Sequence, residues 1–149
     1  MRNIFIIIIG FWIGLSSVFG QGKAIERAQN FHDRYQYKHA IEILEDIGDK
    51  KKTEEGVILL ANCYRKLNDW ESTEKWYRRV IDKENMSHED HYRFAEALSN
   101  NGKKSESIQW FKLYITEESN DYRGDFKLYG IEHFSDFYRD SALYDVRNI

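Results

Sequence analysis

Small and bulky residues recur along the chain with a period near 34, and this recurrence is the main signal in the sequence. Each period contains a small residue, a second small residue twelve positions later, and a bulky residue four positions after that. Antiparallel helices need small side chains where their axes come closest and large ones where they diverge. The pattern therefore predicts three helical hairpins in series. The paired small positions are Ala28 with Ala40, Ala61 with Thr73, and Ala95 with Ser107.

Turn residues occur at a similar place in each repeat and interrupt the apolar pattern there. They lie at 33–36, 67–69 and 100–103. Asn and Gly in such turns supply the left-handed backbone that ends many helices. The chain contains no proline, which favours helices because proline removes an amide donor and clashes with the preceding turn. The predicted fold class is all-α, and the predicted repeats span about 21–53, 54–87 and 88–118.

The period breaks after residue 118. Asn120 and Asp121 can cap a further helix with three aromatic residues on one face, and we predict that Gly130 ends it before a short amphipathic piece. Residues 119–140 are interpreted as a capping segment that covers the last apolar face. The three aromatic residues are Tyr122, Phe126 and Tyr129.

Within residues 141–149, Tyr144 and Val146 alternate with the charged residues Asp145 and Arg147, which is a short strand signal. Residues 141–149 are interpreted as a short extended tail. Two alternatives stay open: the tail begins a further, missing domain, or it packs back on the capping segment.

The first twenty residues have the composition of a signal peptide. Arg2 precedes an apolar run over residues 4–15, which is too short to span a bilayer comfortably. Val18 and Gly20 are small residues at the positions that a signal peptidase inspects, so cleavage before Gln21 is predicted. The mature chain would then be exported and have no transmembrane segment. An uncleaved N-terminal anchor is the alternative.

Charge and motif content exclude several functions. The chain has 22 Lys and Arg against 25 Asp and Glu, a net charge of -3, with no concentrated basic surface for nucleic acid. It lacks a glycine-rich phosphate loop, a nucleophile elbow and an HExxH motif, so neither catalysis nor a cofactor is predicted. The single cysteine, Cys63, cannot close an internal disulfide and is predicted to be buried.

One cluster, at residues 87–91, suggests a metal as an alternative. His88 and His91 are three positions apart and so share a helix face, with carboxylates between them. A closed zinc site needs three or four ligands. The simpler interpretation is a helix N-terminus capped by Ser87, with the acidic residues complementing the helix dipole. The alternative function, a periplasmic metal-binding or enzyme-accessory protein, depends on these two histidines.

The residue pattern resembles the tetratricopeptide (TPR) repeat family, which places small residues at its eighth and twentieth positions and bulky ones at its eleventh and twenty-fourth. Tyr37 and Trp70 match the aromatic residue that the family favours before the second helix, whereas the family's proline is absent. The resemblance implies a right-handed solenoid with a C-terminal capping helix. It also implies a non-catalytic scaffold that binds a protein or peptide in a concave groove lined by the first helix of each hairpin. The implied groove residues are Ile25, Gln29, His32, Ile58, Asn62, Arg65, Tyr92, Glu96 and Ser99.

The signal peptide together with residues 37–44, 92–98 and 141–149 also resembles the N-terminal module of OmpA-family envelope proteins of Bacteroidota. In that family the repeats precede a WD40-like propeller and an OmpA-like domain that binds peptidoglycan, and some members serve type IX secretion and gliding. The resemblance implies a place in the periplasm or on the periplasmic side of the outer membrane. It implies peptidoglycan binding only through the missing OmpA-like domain.

Overall fold

The computed structural model describes residues 21–48, 52–81, 86–118 and 120–141, with side chains up to residue 133 in the last range. The predicted signal peptide lies outside the described residues, and so does the predicted tail apart from Ser141. The described part of the chain is helical with connecting turns, as predicted. Its helices are α1 (21–33), α2 (Tyr37–Asp46), α3 (Glu54–Lys66), α4 (Trp70–Tyr77), α5 (His88–Asn100), α6 (Lys104–Glu117) and α7 (Arg123–Ser141).

The chain divides into two compact units, Met1–Asp69 (unit one) and Trp70–Ile149 (unit two). In unit one, α2 packs against α3, and α1 joins them through the stacked rings of Phe31 and His39, whose centroids are 5.5 Å apart. In unit two, α5 packs against both α4 and α6, and α6 packs against α7. No helix in the described ranges is long and apolar enough to cross a membrane.

The predicted small residues are fully buried in both units. In the α5–α6 hairpin the close approach is direct, because the Ser107 hydroxyl donates a hydrogen bond to the Ala95 carbonyl at 2.9 Å. A larger side chain at either position would separate the two helices. All six residues are 0% exposed: Ala28, Ala40, Ala61, Thr73, Ala95 and Ser107. The pattern of small residues is therefore confirmed.

The three predicted turns share one backbone geometry. Tyr35, Asn68 and Gly102 have left-handed φ angles of 61°, 59° and 76°, and they are separated by the same 33 and 34 positions as the sequence repeat. In the third turn the Gly102 amide donates to the Ser99 carbonyl at 3.1 Å and the next amide donates to the Leu98 carbonyl at 2.9 Å. These are the two hydrogen bonds of a Schellman motif, and the other two turns have the equivalent pairs.

The helix start predicted at Ser87 is also confirmed. The Ser87 hydroxyl accepts a hydrogen bond from the Asp90 amide at 3.2 Å, and the Asp90 carboxylate accepts from the Ser87 amide at 3.3 Å. This reciprocal pair is a capping box, which satisfies two amides that the helix itself leaves unbonded.

The prediction that Gly130 ends the capping helix is wrong. α7 runs without interruption from Arg123 to Ser141. A glycine inside a helix costs about 1 kcal/mol relative to alanine. Tertiary packing favours continuation here, because Ile131 packs against a buried cluster that includes Tyr92 and Phe111.

The aromatic face of α7 does not cover the core either. Phe126 and Tyr129 lie on one face of α7 and Tyr122 immediately precedes the helix, but Tyr122, Phe126 and Tyr129 are 79%, 73% and 61% exposed. α7 instead approaches α6 through Gly124, where an added Cβ would lie only 2.7 Å from Ile115 Cγ1. Among the residues of α7 whose side chains are described, Gly124 and Ile131 face the packed side of the helix, and the exposed aromatic residues do not.

Candidate functional site

In unit one, α1 and the start of α3 border a depression of about 530 Å³. Two of the predicted groove residues lie in it: Ile25, which is 6% exposed and forms an apolar floor, and Gln29, which is exposed. The two helices can approach because α3 carries Gly56 here, and an added Cβ would lie 3.3 Å from Ile25 Cδ1. The depression is lined by Gln21, Gly22, Ile25, Glu26, Gln29, Asn30, Thr53 and Glu55.

His32 presents a polar atom that the described part of the chain leaves unsatisfied. Its Nδ1 lies 3.3 Å from an Asp33 carboxylate oxygen, which also accepts a hydrogen bond from Gln29 at 2.6 Å. The His32 ring meets Tyr37 edge-on at 5.3 Å. Its Nε2 is buried and has no hydrogen-bond partner among the described residues.

The other predicted groove positions in unit one are on α3. Ile58, Asn62 and Arg65 are all half-buried. They therefore contribute part of each side chain to the surface and part to packing.

Tyr92, one of the implied groove residues, is largely enclosed by its neighbours. It is 7% exposed, and its ring centroid lies 5.5 Å from Phe111 and 5.2 Å from Tyr114. The Arg123 guanidinium covers the ring at 5.0 Å. Because α6 and α7 enclose this position, Tyr92 supports the core of unit two.

The remaining predicted positions in unit two, Glu96 and Ser99, are half-buried. Glu96 accepts a hydrogen bond from Lys127 of α7 at 3.2 Å. This part of the first-helix surface is thus already engaged by the capping helix.

Arg123 fixes the start of α7 on α5 and α6. It donates to Glu89 at 2.7 Å, to Asp121 at 2.8 Å and to the Tyr114 hydroxyl at 2.9 Å. Hydrogen bonds from Arg123 and Tyr114 hold the pKa of Asp121 well below its usual range. Burial, together with the hydrogen bond to Asp121, raises the pKa of Tyr114 to about 12.

A second polar network, around Glu74, was not anticipated from the sequence. Glu74 is a buried carboxylate in α4, and it accepts hydrogen bonds from Arg78 at 2.6 Å, from Asn101 at 2.7 Å and from Lys103. Burial alone would raise its pKa, but these three donors outweigh that effect and lower the pKa. The network ties α4 to the α5–α6 turn. Its sequence signal is the four-residue spacing of Glu74 and Arg78, which suits an ion pair along a helix.

The two histidines of the metal alternative bind different carboxylates. His88 Nδ1 lies 2.9 Å from Glu118, and His91 Nδ1 lies 2.9 Å from Glu117. The hydrogen bond to Glu118 raises the pKa of His88. Across the described ranges, no three His, Cys, Asp or Glu side chains are grouped so as to hold a metal ion. These histidines join the start of α5 to the end of α6, and nothing in their geometry supports the metal alternative.

Cys63 is fully buried in α3, as predicted. Burial raises the pKa of its thiol to about 12, so the thiol stays protonated and unreactive at neutral pH.

In-phase hairpins, Schellman turns and small residues at the crossings define a TPR-type repeat protein, a class of protein-interaction scaffolds. The fold is similar to the second TPR domain of the human RPAP3 protein, solved by NMR in complex with the HSP70 peptide SGPTIEEVD. That comparison has a TM-score of 0.66 at 20% identity and covers 78% of this chain and 98% of that one. The first TPR domain of human RPAP3 gives a TM-score of 0.64 at 15% identity, covering 79% and 94%. At these identities the likeness shows the fold alone.

Residues 33–112 match the family described as anaphase-promoting complex, cyclosome, subunit 3. Because the match covers more than half of the chain, the chain belongs to this family of TPR-type proteins. A search of curated proteins found no match.

Proposed function

We propose that this chain is an exported, non-catalytic scaffold that binds a protein or peptide partner on the α1–α3 surface of unit one. The observation that carries this proposal is the depression between these helices. It combines an apolar floor at Ile25 with the amide side chains of Gln29 and Asn30. A bound extended peptide needs apolar pockets for some side chains and hydrogen-bonding groups for its main chain.

His32, another implied groove residue, lies on α1 but outside the lining of the depression. Its unsatisfied Nε2 is buried within the chain and so is not open to a docking partner. The proposed surface therefore rests on the depression itself. The peptide complex of the RPAP3 domain supports this mode of binding at the level of the fold.

The proposed location is the bacterial cell envelope, in the periplasm or on the periplasmic side of the outer membrane. The support comes from the sequence: a short apolar run after Arg2 and small residues before Gln21. The finer proposal, participation in an OmpA-like envelope assembly or in secretion and gliding machinery, rests on the resemblance to Bacteroidota envelope proteins. In such an assembly this chain would supply the protein-binding module.

Partner binding is tested by a matched pair of substitutions. Gln29→Arg places a bulky charge in the depression, whereas Gln36→Arg makes the same change at an exposed residue whose side chain forms no helix-capping hydrogen bond. We expect Gln29→Arg to reduce quantitative co-purification of the partner by about tenfold, and Gln36→Arg to leave it unchanged. Equal co-purification with both variants would contradict the proposed surface.

Export is tested by intact-mass measurement of the protein recovered from the envelope fraction of the producing cell. Cleavage predicts a mature chain that begins at Gln21. Recovery with Met1 still attached, or only from the cytoplasm, would contradict the proposal.

A further inference from the structure

One face of α1 carries two arginines whose charges are not compensated within the described part of the chain. Arg27 and Arg34 are exposed, and together with Asn30 and Phe31 they line a pocket of about 440 Å³. Spacings of three, four and seven residues place all four side chains on one side of the helix. Neither guanidinium has an ion-pair or hydrogen-bond partner among the described residues. We refer to these four residues as the α1 basic face.

The repeat register shows what packs on the corresponding face of a later repeat. At offsets of 33 and 67, Arg27 aligns with Leu60 and Phe94, both of which are 0% exposed. Phe94 of α5 packs against Tyr77 of the preceding helix, α4, with ring centroids 6.1 Å apart. The α1 basic face is therefore in the position that receives a helix in the third repeat, and it offers charge where that repeat offers an apolar ring.

Lys23 extends this face by one turn and adds a third positive charge. It is exposed and lies four positions before Arg27, and like charges at that spacing destabilise a helix. The acidic residues of α1 lie elsewhere: Glu26 lines the depression, and Asp33 accepts a hydrogen bond from Gln29. Solubility at the end of a repeat array requires polar side chains, not an excess of one charge. The excess of positive charge therefore indicates an acidic ligand.

The chemistry of the face favours a protein helix as that ligand. A guanidinium binds a carboxylate through two parallel hydrogen bonds. Arg27 and Arg34 are two helical turns apart, about 10.5 Å along the axis, and acidic residues seven positions apart on a partner helix repeat at the same interval. A membrane surface would need an exposed ring to insert, whereas Phe31 is half-buried and its ring stacks on His39. Residues 1–20 contain no Asp or Glu and so cannot supply the carboxylates.

We propose that the α1 basic face binds an acidic helix of a partner protein, with carboxylates seven positions apart bonded to Arg27 and Arg34. Phe31 provides an apolar contact between the two charges. The proposal does not depend on partner binding in the α1–α3 depression, because the two arginines are not part of the lining of that depression.

Three fluorescent synthetic peptides of about 18 residues, five turns of helix, provide the test. The first carries two Glu residues seven positions apart on one face, with Leu between them. The second has Lys at those two positions, and the third has the composition of the first with its Glu residues on opposite faces. Fluorescence anisotropy at low ionic strength should show binding of the first peptide and about tenfold weaker binding of the other two.

Matched variants assign the binding to the arginines. Arg27→Glu should weaken the first peptide by about tenfold, and Arg27→Lys should weaken it less, because lysine keeps the charge but lacks the paired donors. Lys112→Glu reverses one charge at an exposed position of α6 and should bind as the wild type does. All three variants should keep the helical circular dichroism spectrum.

Four results would overturn the proposal. They are no binding of the first peptide, equal binding of the first and third peptides, equal loss of binding in Arg27→Glu and Lys112→Glu, and wild-type binding by Arg27→Glu. Sedimentation with phosphatidylglycerol vesicles separates the remaining occupant. Vesicle binding that Arg27→Glu abolishes would assign the face to a membrane surface instead of a protein helix.

Discussion

Replacing Gly102 by alanine isolates the backbone conformation on which the repeat register depends. Gly102 has a φ of 76°, and an added Cβ would meet no atom within 4 Å. The substitution therefore creates no clash, and its effect comes from the backbone alone. The left-handed conformation costs an L-residue about 1–2 kcal/mol.

The net effect is smaller, because alanine also restricts the unfolded chain. That restriction stabilises the folded state by about 0.4–1 kcal/mol, so the expected net loss is about 1 kcal/mol. For a protein of this size the melting temperature should fall by roughly 3–5 °C. The assay is thermal and urea unfolding followed by far-ultraviolet circular dichroism.

Gly22→Ala is the matched control. Gly22 lies in α1, its φ is outside the left-handed region and an added Cβ again meets nothing within 4 Å. The same chemical change should here stabilise the protein by about 0.5–1 kcal/mol. A Gly102→Ala variant as stable as the wild type would refute the left-handed turn, and with it the structural equivalence of the three turns.

Three further predictions use the same unfolding assay. Tyr35→Asn should stabilise the protein by about 0.5 kcal/mol, because asparagine tolerates the left-handed region better than tyrosine does. A loss of stability would show that the left-handed backbone at Tyr35 is not strained. Gly124→Val should destabilise by about 1–3 kcal/mol through overpacking against Ile115, and a neutral result would contradict the α6–α7 contact. Because hydrogen bonds lower the pKa of Glu74, its stabilising contribution should be complete above the ordinary glutamate pKa of about 4.3 and decline as the pH falls below it. Glu74→Gln should flatten that decline, and an unchanged pH profile would argue against the network.

The hairpins could be predicted because their determinants are local and repeated. Ala95 and Ser107 are twelve positions apart, and the requirement for small side chains at a crossing follows from helix geometry. Three pairs of small residues at the same spacing established the repeat register, and the left-handed residues of the three turns recur at the same interval. The repeat period predicts a turn at Tyr35. The left-handed conformation of Tyr35 could not be predicted from its residue type, since tyrosine has no preference for that conformation.

The capping helix was harder to predict because its packing depends on distant residues. Gly130 has the residue type of a helix end, but contacts of Ile131 with the core of unit two favour continuation. The aromatic spacing of Phe126 indicates a helical face without saying whether that face is buried. Whether that face is buried depends on where α6 packs, and Gly124 of α7 lies close to α6.

The groove prediction depended on the same kind of information. Gln29 and Ile25 lie in the α1–α3 depression because first helices of successive repeats are neighbours. Tyr92 has an equivalent position in its own helix, yet α6 and α7 enclose it with side chains that come 19 to 31 positions later in the chain. Sequence periodicity shows which face of a helix a residue occupies, and the burial of that face depends on the helices that pack against it.

Site-specific photo-crosslinking tests the central claim, partner binding on the first-helix surface of unit one, most directly. A photoreactive amino acid would replace Gln29 in one variant and Gln36 in another, each expressed in the cell that naturally produces the protein. The account predicts one reproducible protein adduct from position 29, identified by mass spectrometry, and none from position 36. The absence of an adduct from position 29, or the same adduct from both positions, would contradict it.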